Sequence, residues 1–159
     1  MSTAKPPVRA HLDGELRSVQ VLEVAMRVIS HDAAAVASIA GLGGQERHGE
    51  LSMDELLEVL RAIVVRNSTQ PDFVRLYFLL SAEALNPSHP ARQYFVDREA
   101  ATLDAFARMV GPHVAAPLAT ARQLLAFMSG LEEQWLRADH GFDLVAEWDR
   151  GVAQLLPAA

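Results

Sequence analysis

The segment from Arg66 to Arg98 limits the possible folds more than any other part of the sequence. Pro71 is tolerated only in the first turn of a helix, where its missing N–H would be unpaired anyway. Residues 73–80 are apolar on almost every side of the helix that follows. An all-round apolar surface is typical of a helix buried by its neighbours, so we expect this helix to be the central one.

A sharp corner is predicted directly after this helix. Pro87 disfavours helical geometry at Asn86, which places the end of the helix before that residue. Ser88 can cap a second helix that has Pro90 in its first turn. The sequence therefore predicts two helices joined by a corner at residues 86–89.

Further helices are predicted on both sides of this pair. Ser52 and Glu55 have the spacing of a capping box, which predicts a helix over about 53–66. Helical periodicity predicts three more over about 89–110, 116–138 and 142–156, and another from Glu15 onward. Half of the residues are hydrophobic and only 6% are aromatic. We predict an all-α, single-domain bundle of about six helices over residues 14–157, preceded by a flexible tail at residues 1–13.

Composition argues against several classes of function. The net charge is −6 and the basic residues are scattered, which does not favour binding to a phosphate backbone. The absence of Cys excludes disulfides, thiolate metal sites and a Cys nucleophile. No apolar run is long enough to span a bilayer, and the N-terminus lacks the apolar core of a signal peptide. We expect a cytoplasmic protein with no membrane partner.

Residues 21–42 have some likeness to the first helices of a helix-turn-helix. The segment that should hold the recognition helix, residues 43–50, contains three glycines and a single Arg. Glycine is a poor helix former and one Arg gives few phosphate contacts. We therefore predict no direct nucleic-acid binding by this chain alone.

Two runs of residues, in this order and spacing, resemble the C-terminal regulatory domain of TetR-type transcriptional regulators, particularly those of high-GC actinobacteria. The resemblance covers roughly residues 50–156. The first run consists of Arg66-Asn67, Thr69-Gln70-Pro71, Arg75-Leu76, Ser81-Ala82-Glu83-Ala84, Pro87, His89-Pro90-Ala91 and Tyr94-Phe95; the second consists of Ala126-Phe127-Met128-Ser129-Gly130-Leu131-Glu132-Glu133-Gln134-Trp135-Leu136 and Phe142-Asp143-Leu144-Val145.

The resemblance implies an effector-binding and dimerisation domain involved in transcriptional regulation. A TetR regulator carries a helix-turn-helix domain ahead of this region, and too little chain precedes the region here. The expected function is therefore to sense a small, mostly apolar ligand, or to pair with a full-length regulator. A homodimer or such a heterodimer is the expected assembly.

A ligand pocket is predicted where aromatic, aliphatic and Met side chains from several helices converge. Arg98 and Arg122 would lie at its rim and orient the polar end of the ligand. The alternative for each Arg is a surface position or an internal ion pair. The predicted pocket residues are Leu60, Tyr77, Phe95, Arg98, Phe106, Arg122 and Met128.

A dimer interface is predicted on the last two helices, as the resemblance also implies. The 116–138 helix carries a stripe of small and amide residues that permits close approach of another helix, and the last helix has the spacing of a bundle seam. The small and amide stripe is Ala119, Gln123, Ala126, Gly130 and Gln134. The predicted interface residues are Ala126, Gly130, Val145, Trp148, Val152 and Leu155.

No motif predicts catalysis, a metal site or a cofactor. The six His residues fall mostly in predicted turns and lack zinc-type spacing. Glu132 and Glu133 point in different directions from one helix and are expected at a solvated edge. The hydroxyl residues lack a nucleophile motif. The alternative function is a stand-alone carrier or an enzyme on the same helical scaffold, because a fold does not determine the activity that it carries.

Overall fold

A computed structural model describes residues 51–156, which form five α-helices and, within that range, no β-strand. The all-α prediction is confirmed for this part of the chain. The tail at residues 1–13 and the helix predicted from Glu15 lie outside the described residues, so the count of about six helices and the 14–157 domain stay predictions. The helices are α1 (Met53–Ser68), α2 (Pro71–Glu83), α3 (Arg92–Val110), α4 (Pro117–Arg137) and α5 (Leu144–Leu155).

The start of α1 has the capping box that the sequence predicts. The backbone N–H of Glu55 donates to Ser52 Oγ at 3.2 Å, and the backbone N–H of Ser52 donates to Glu55 Oε2 at 2.9 Å. These two bonds satisfy donors that the first helical turn leaves unpaired. At the other end of the chain, Asp143 caps α5 by accepting the N–H of Ala146 at 3.0 Å.

The corner between α2 and α3 is wider than predicted. Pro71 does stand in the first turn of α2, but Ser88 does not cap α3, whose N-cap is Ala91 and has no side-chain hydrogen bond. Asn86 Oδ1 accepts both the N–H and the hydroxyl of Ser88, and this turn leaves Ser88 three residues before the N-cap of α3. Ser88 therefore belongs to this local turn and lies too far ahead of the first turn of α3 to cap it.

The central helix of the described bundle is α4, not α2. Helix α4 packs against α2, α3 and α5, and α1 packs against α2 and α5. In α2 only Val74 is fully buried, and Leu79 is 60% exposed. The prediction of a central α2 was wrong. An apolar sequence on all sides indicates that a helix can be buried, but it does not indicate which helices surround it. The large buried side chains of the main core are Leu56, Leu60, Val64, Val110, Leu124, Trp148 and Leu156.

Gly151 of α5 lies directly against Phe127 of α4. A Cβ atom at this position would overlap the ring of Phe127, which itself stacks on Trp148 with 5.5 Å between ring centroids. The turn that brings α5 back along α4 uses two residues with positive φ, Asp139 at 49° and His140 at 62°. None of the helices in residues 51–156 combines the length and hydropathy that crossing a membrane requires.

Candidate functional site

The most unusual residue in the described core is Glu132, in the last third of α4. It is 6% exposed and is the one charged or polar residue among 51–156 that is classed with the buried core. The buried residues of α4 recur at three- and four-residue spacing, so Glu132 occupies a position where an apolar side chain would be expected. These buried residues are Ala121, Leu124, Met128, Glu132 and Trp135.

Among residues 51–156, the Glu132 carboxyl has one hydrogen-bond partner. Asn67, near the end of α1, donates from Nδ2 to Glu132 Oε1 at 2.6 Å. The other oxygen, Oε2, has no donor among residues 51–156, and no Arg or His nitrogen of that range pairs with the carboxylate. Asn67 therefore fixes one oxygen and leaves the second available.

Burial changes the acidity of this carboxyl. Removal from water disfavours the charged form and raises the Glu132 pKa from 4.5 to about 7, although the hydrogen bond from Asn67 opposes the rise. A neutral amide offsets only part of the cost of burying a charge. Near neutral pH the group is thus divided between its protonated and ionised forms.

The prediction of a solvated edge is correct for Glu133 and wrong for Glu132. The Glu133 side chain is 47% exposed and pairs with Arg137 at 2.6 Å. Glu132 lies four residues after Met128 and three before Trp135, which are both buried. That spacing was the signal available in the sequence, and it places Glu132 on the inner side of α4.

The structure divides the predicted ligand pocket into two groups. Leu60, Phe106 and Met128 belong to the main core. Tyr77, Phe95 and Arg98 are together elsewhere, between α2 and α3: the Tyr77 and Phe95 ring centroids are 5.6 Å apart, and the Arg98 guanidinium carbon is 5.3 Å from the Tyr77 centroid.

Neither predicted rim Arg lies beside the carboxyl of Glu132 among the described contacts. Arg98 is half-buried and stacks over Tyr77, whereas Arg122 is exposed on α4. The position of Arg122 agrees with the alternative of a surface Arg, which the sequence left open. Ligand binding by the predicted set stays a prediction.

The assignment of Trp148 and Val152 to a dimer interface is corrected by their burial. Trp148 is 1% exposed and Val152 is also buried, and both belong to the main core of their own chain. Val145 and Leu155 are half-buried and pack against that same core. The regular spacing along α5 therefore reflects packing on α1 and α4, since a seam looks the same in a sequence whichever helix covers it.

The stripe of small and amide residues on α4 does face outward. We call it the small-residue face: Ala119, Gln123, Ala126, Gly130 and Gln134. Gly130 is half-buried and the other four residues are exposed. A Cβ atom built at Gly130 would meet nothing within 4 Å, in contrast to Gly151. Within residues 51–156, no packing therefore requires glycine at position 130.

An open groove of about 460 Å³ runs along α1 on the side away from the core. The residues of α1 that face the core are Leu56, Leu60, Ile63 and Val64. The groove is lined instead by Glu58, Arg61, Ala62, Val65, Arg66 and Thr69. It is thus separate from the Glu132 site, which Asn67 reaches from the inner side of the same helix.

Within residues 51–156, no three His, Asp or Glu side chains converge as a ligand set for a metal ion. Comparison with known proteins found no matching family model, no matching curated protein and no matching solved structure.

Proposed function

We propose that this chain is an effector-binding and dimerisation domain of the TetR type, acting in transcriptional regulation. The observation that carries the proposal is the two-sided character of α4. Its inner side places an ionisable group, Glu132, in an apolar core, and its outer side presents an open glycine, Gly130, in a row of small residues. The resemblance in order and spacing of the TetR-like residues adds to this support.

The outer side supports dimerisation. Glycine within a helix costs roughly 0.5–1 kcal/mol of stability relative to alanine, and at Gly130 no packing by residues 51–156 offsets that cost. A helix of a second copy could approach the small-residue face closely, as small residues permit wherever helices cross. Leu118, 47% exposed near the start of α4, would add apolar area to such a contact. In a two-fold dimer each α4 would pack on the other.

The inner side supports ligand binding. Binding sites for small molecules are mostly apolar and contain a few polar groups that orient the guest. Glu132 and Asn67 are such groups, and the apolar residues Met128 and Trp135 lie within one turn of Glu132 on the same side of α4. The proposed effector is a small, mostly apolar molecule with one polar end. Pairing with a full-length regulator would carry its effect to DNA.

A matched pair of variants tests the dimer. Ala126→Glu puts a charge on the small-residue face, and Ala101→Glu puts the same charge on an exposed position of α3. Light scattering with circular dichroism should show a dimeric wild type, a folded monomer for Ala126→Glu and a dimer for Ala101→Glu. Gly130→Glu should behave like Ala126→Glu. A monomeric wild type, or an Ala126→Glu variant that stays dimeric, would overturn the dimerisation part of the proposal.

A stand-alone carrier is the second candidate. The Glu132–Asn67 pair favours it, because a buried polar pair can hold a guest without a second subunit or an operator. Mass spectrometry of small molecules released from the purified, denatured protein separates the two functions when it is combined with the dimer test. A monomer that carries a bound molecule would favour the carrier, and conversion of that molecule over time would indicate an enzyme.

A further inference from the structure

We propose that the Glu132–Asn67 pair is the polar end of a binding site for a small molecule with a protonated amine on an apolar body. This inference rests on the ligand-binding part of the proposed function and specifies the chemistry of the ligand. It begins from geometry: a carboxyl that is more than nine-tenths buried, with one oxygen fixed by Asn67 Nδ2 at 2.6 Å and the other without a donor among residues 51–156.

The second carboxyl oxygen of Glu132 can accept a hydrogen bond from a ligand. Glu132 Oε2 is not one of the fully enclosed side-chain atoms of residues 51–156 that lack a partner, so a donor from outside the chain can reach it, and the oxygen of an ionised carboxylate can only accept. In its ionised form Glu132 Oε2 therefore selects a ligand group that donates, such as an ammonium or a hydroxyl. A carboxylate or phosphate ligand is disfavoured because it would place a second negative charge beside the first.

Charge separates the amine from the hydroxyl. The ionised carboxyl has no positive partner in the described part of the chain, and Asn67 contributes a dipole but no charge. An ammonium supplies both the donor and the missing charge, whereas a hydroxyl supplies only the donor. Hydrogen bonds to charged partners are shorter and roughly twice as strong as those between neutral groups. The net charge of −6 would also attract a cation from solution.

The neighbours of Glu132 on α4 suit the apolar part of such a ligand. Met128 and Trp135 are buried one turn to either side. Met adapts its shape to irregular guests, and the face of an indole ring attracts cations as well as apolar groups. The site thus combines one acceptor for an ammonium with apolar surface for an alkyl or aryl body.

Three eight-carbon probes with different head groups test the inference: octylammonium, 1-octanol and octanoate. Calorimetric titration into wild type should show octylammonium binding at least tenfold more tightly than 1-octanol, and octanoate binding most weakly. Glu132→Gln should weaken octylammonium binding by about ten- to a hundredfold, the range for a hydrogen bond to a charged group, and should leave 1-octanol binding within about threefold. Glu133→Gln, which removes the neighbouring exposed carboxylate, should leave both probes unchanged.

The outcomes distinguish this inference from the proposed function. If 1-octanol or octanoate binds as tightly as octylammonium, or if Glu132→Gln retains octylammonium binding, the amine site is wrong while ligand sensing stands. If none of the three probes binds, the amine site and the ligand-sensing role both fall, and the light-scattering test decides dimerisation separately. Circular dichroism of Glu132→Gln confirms that any loss of binding occurs in a folded protein.

Discussion

Glu132→Gln should make the protein more stable, and the gain should depend on pH. Folding moves this carboxyl into the core and raises its pKa from 4.5 to about 7, mainly through loss of hydration. The folded state therefore holds the proton more tightly than the unfolded state. The contribution of the protonated Glu132 to the free energy of unfolding is fully present below about pH 4.5. This contribution is lost as the pH rises through about 7. Glutamine imitates the protonated form and keeps an oxygen that can accept from Asn67.

The structure sets the size of the gain. A pKa that rises from 4.5 to about 7 corresponds to roughly 3 kcal/mol of folding free energy, at about 1.4 kcal/mol per pH unit. At pH 8 the Glu132→Gln variant should exceed wild type by about this amount, and at pH 4 the two should be nearly equal. The titration of every carboxylate that the two proteins share cancels in the difference between their free energies of unfolding. This difference therefore reports on Glu132 alone.

Urea unfolding followed by circular dichroism at pH 4, 6 and 8 measures the difference. Glu133→Gln is the matched control, because it removes a carboxylate from the next position, where the side chain is 47% exposed and pairs with Arg137. Exposed ion pairs contribute at most about 1 kcal/mol, so the control should change stability little at any of these pH values. A Glu132→Gln gain that does not vary with pH, or a loss of stability at pH 8, would show that Glu132 is not an uncompensated buried charge.

Three further predictions concern the described bundle. Gly151→Ala should destabilise the protein by about 1–3 kcal/mol in thermal unfolding because the new methyl group displaces Phe127. Gly130→Ala should not destabilise it. Equal effects of the two substitutions would contradict the packing described at Gly151. Ser52→Ala should cost about 0.5–2 kcal/mol through loss of the α1 cap, and a stability unchanged within error would count against that cap. The isolated chain should form no sequence-dependent, submicromolar complex with duplex DNA at physiological salt in a gel-shift assay, since its net charge is −6 and its basic residues are scattered.

The sequence predicted most of the local structure because local structure depends on near neighbours. The capping box at Ser52, the start of α2 at Pro71 and the approximate bounds of α1, α4 and α5 all follow from chemistry within a few residues. The start of α3 was placed too early because Asn86 holds Ser88 in a local turn, and the geometry of that turn is not visible in the sequence.

The partners of each helix could not be predicted in the same way. The apolar residues of α5 would have the same spacing whether they packed on a second subunit or on α1 and α4, and only the tertiary structure shows that Trp148 is covered from within. Likewise, the apolar sequence of α2 did not reveal that Leu79 would be left 60% exposed. Hydrophobic periodicity identifies the side of a helix that is to be covered, and it carries no information about the covering element.

The sequence prediction for Glu132 was wrong because residue type alone does not show which side of a helix is covered. The burial of Glu132 bears on the choice between the two proposed functions. A pair of adjacent glutamates usually lies at a solvated edge, yet adjacent residues on a helix point about 100° apart, so one of the two can enter the core. Burial of Glu132 lowers stability near neutral pH, and an apolar residue would fill the same position without that cost. A binding site gives such a group a role in recognising the ligand. If Glu132→Leu were more stable and had lost binding of octylammonium, the stability cost would be attributable to recognition of the ligand.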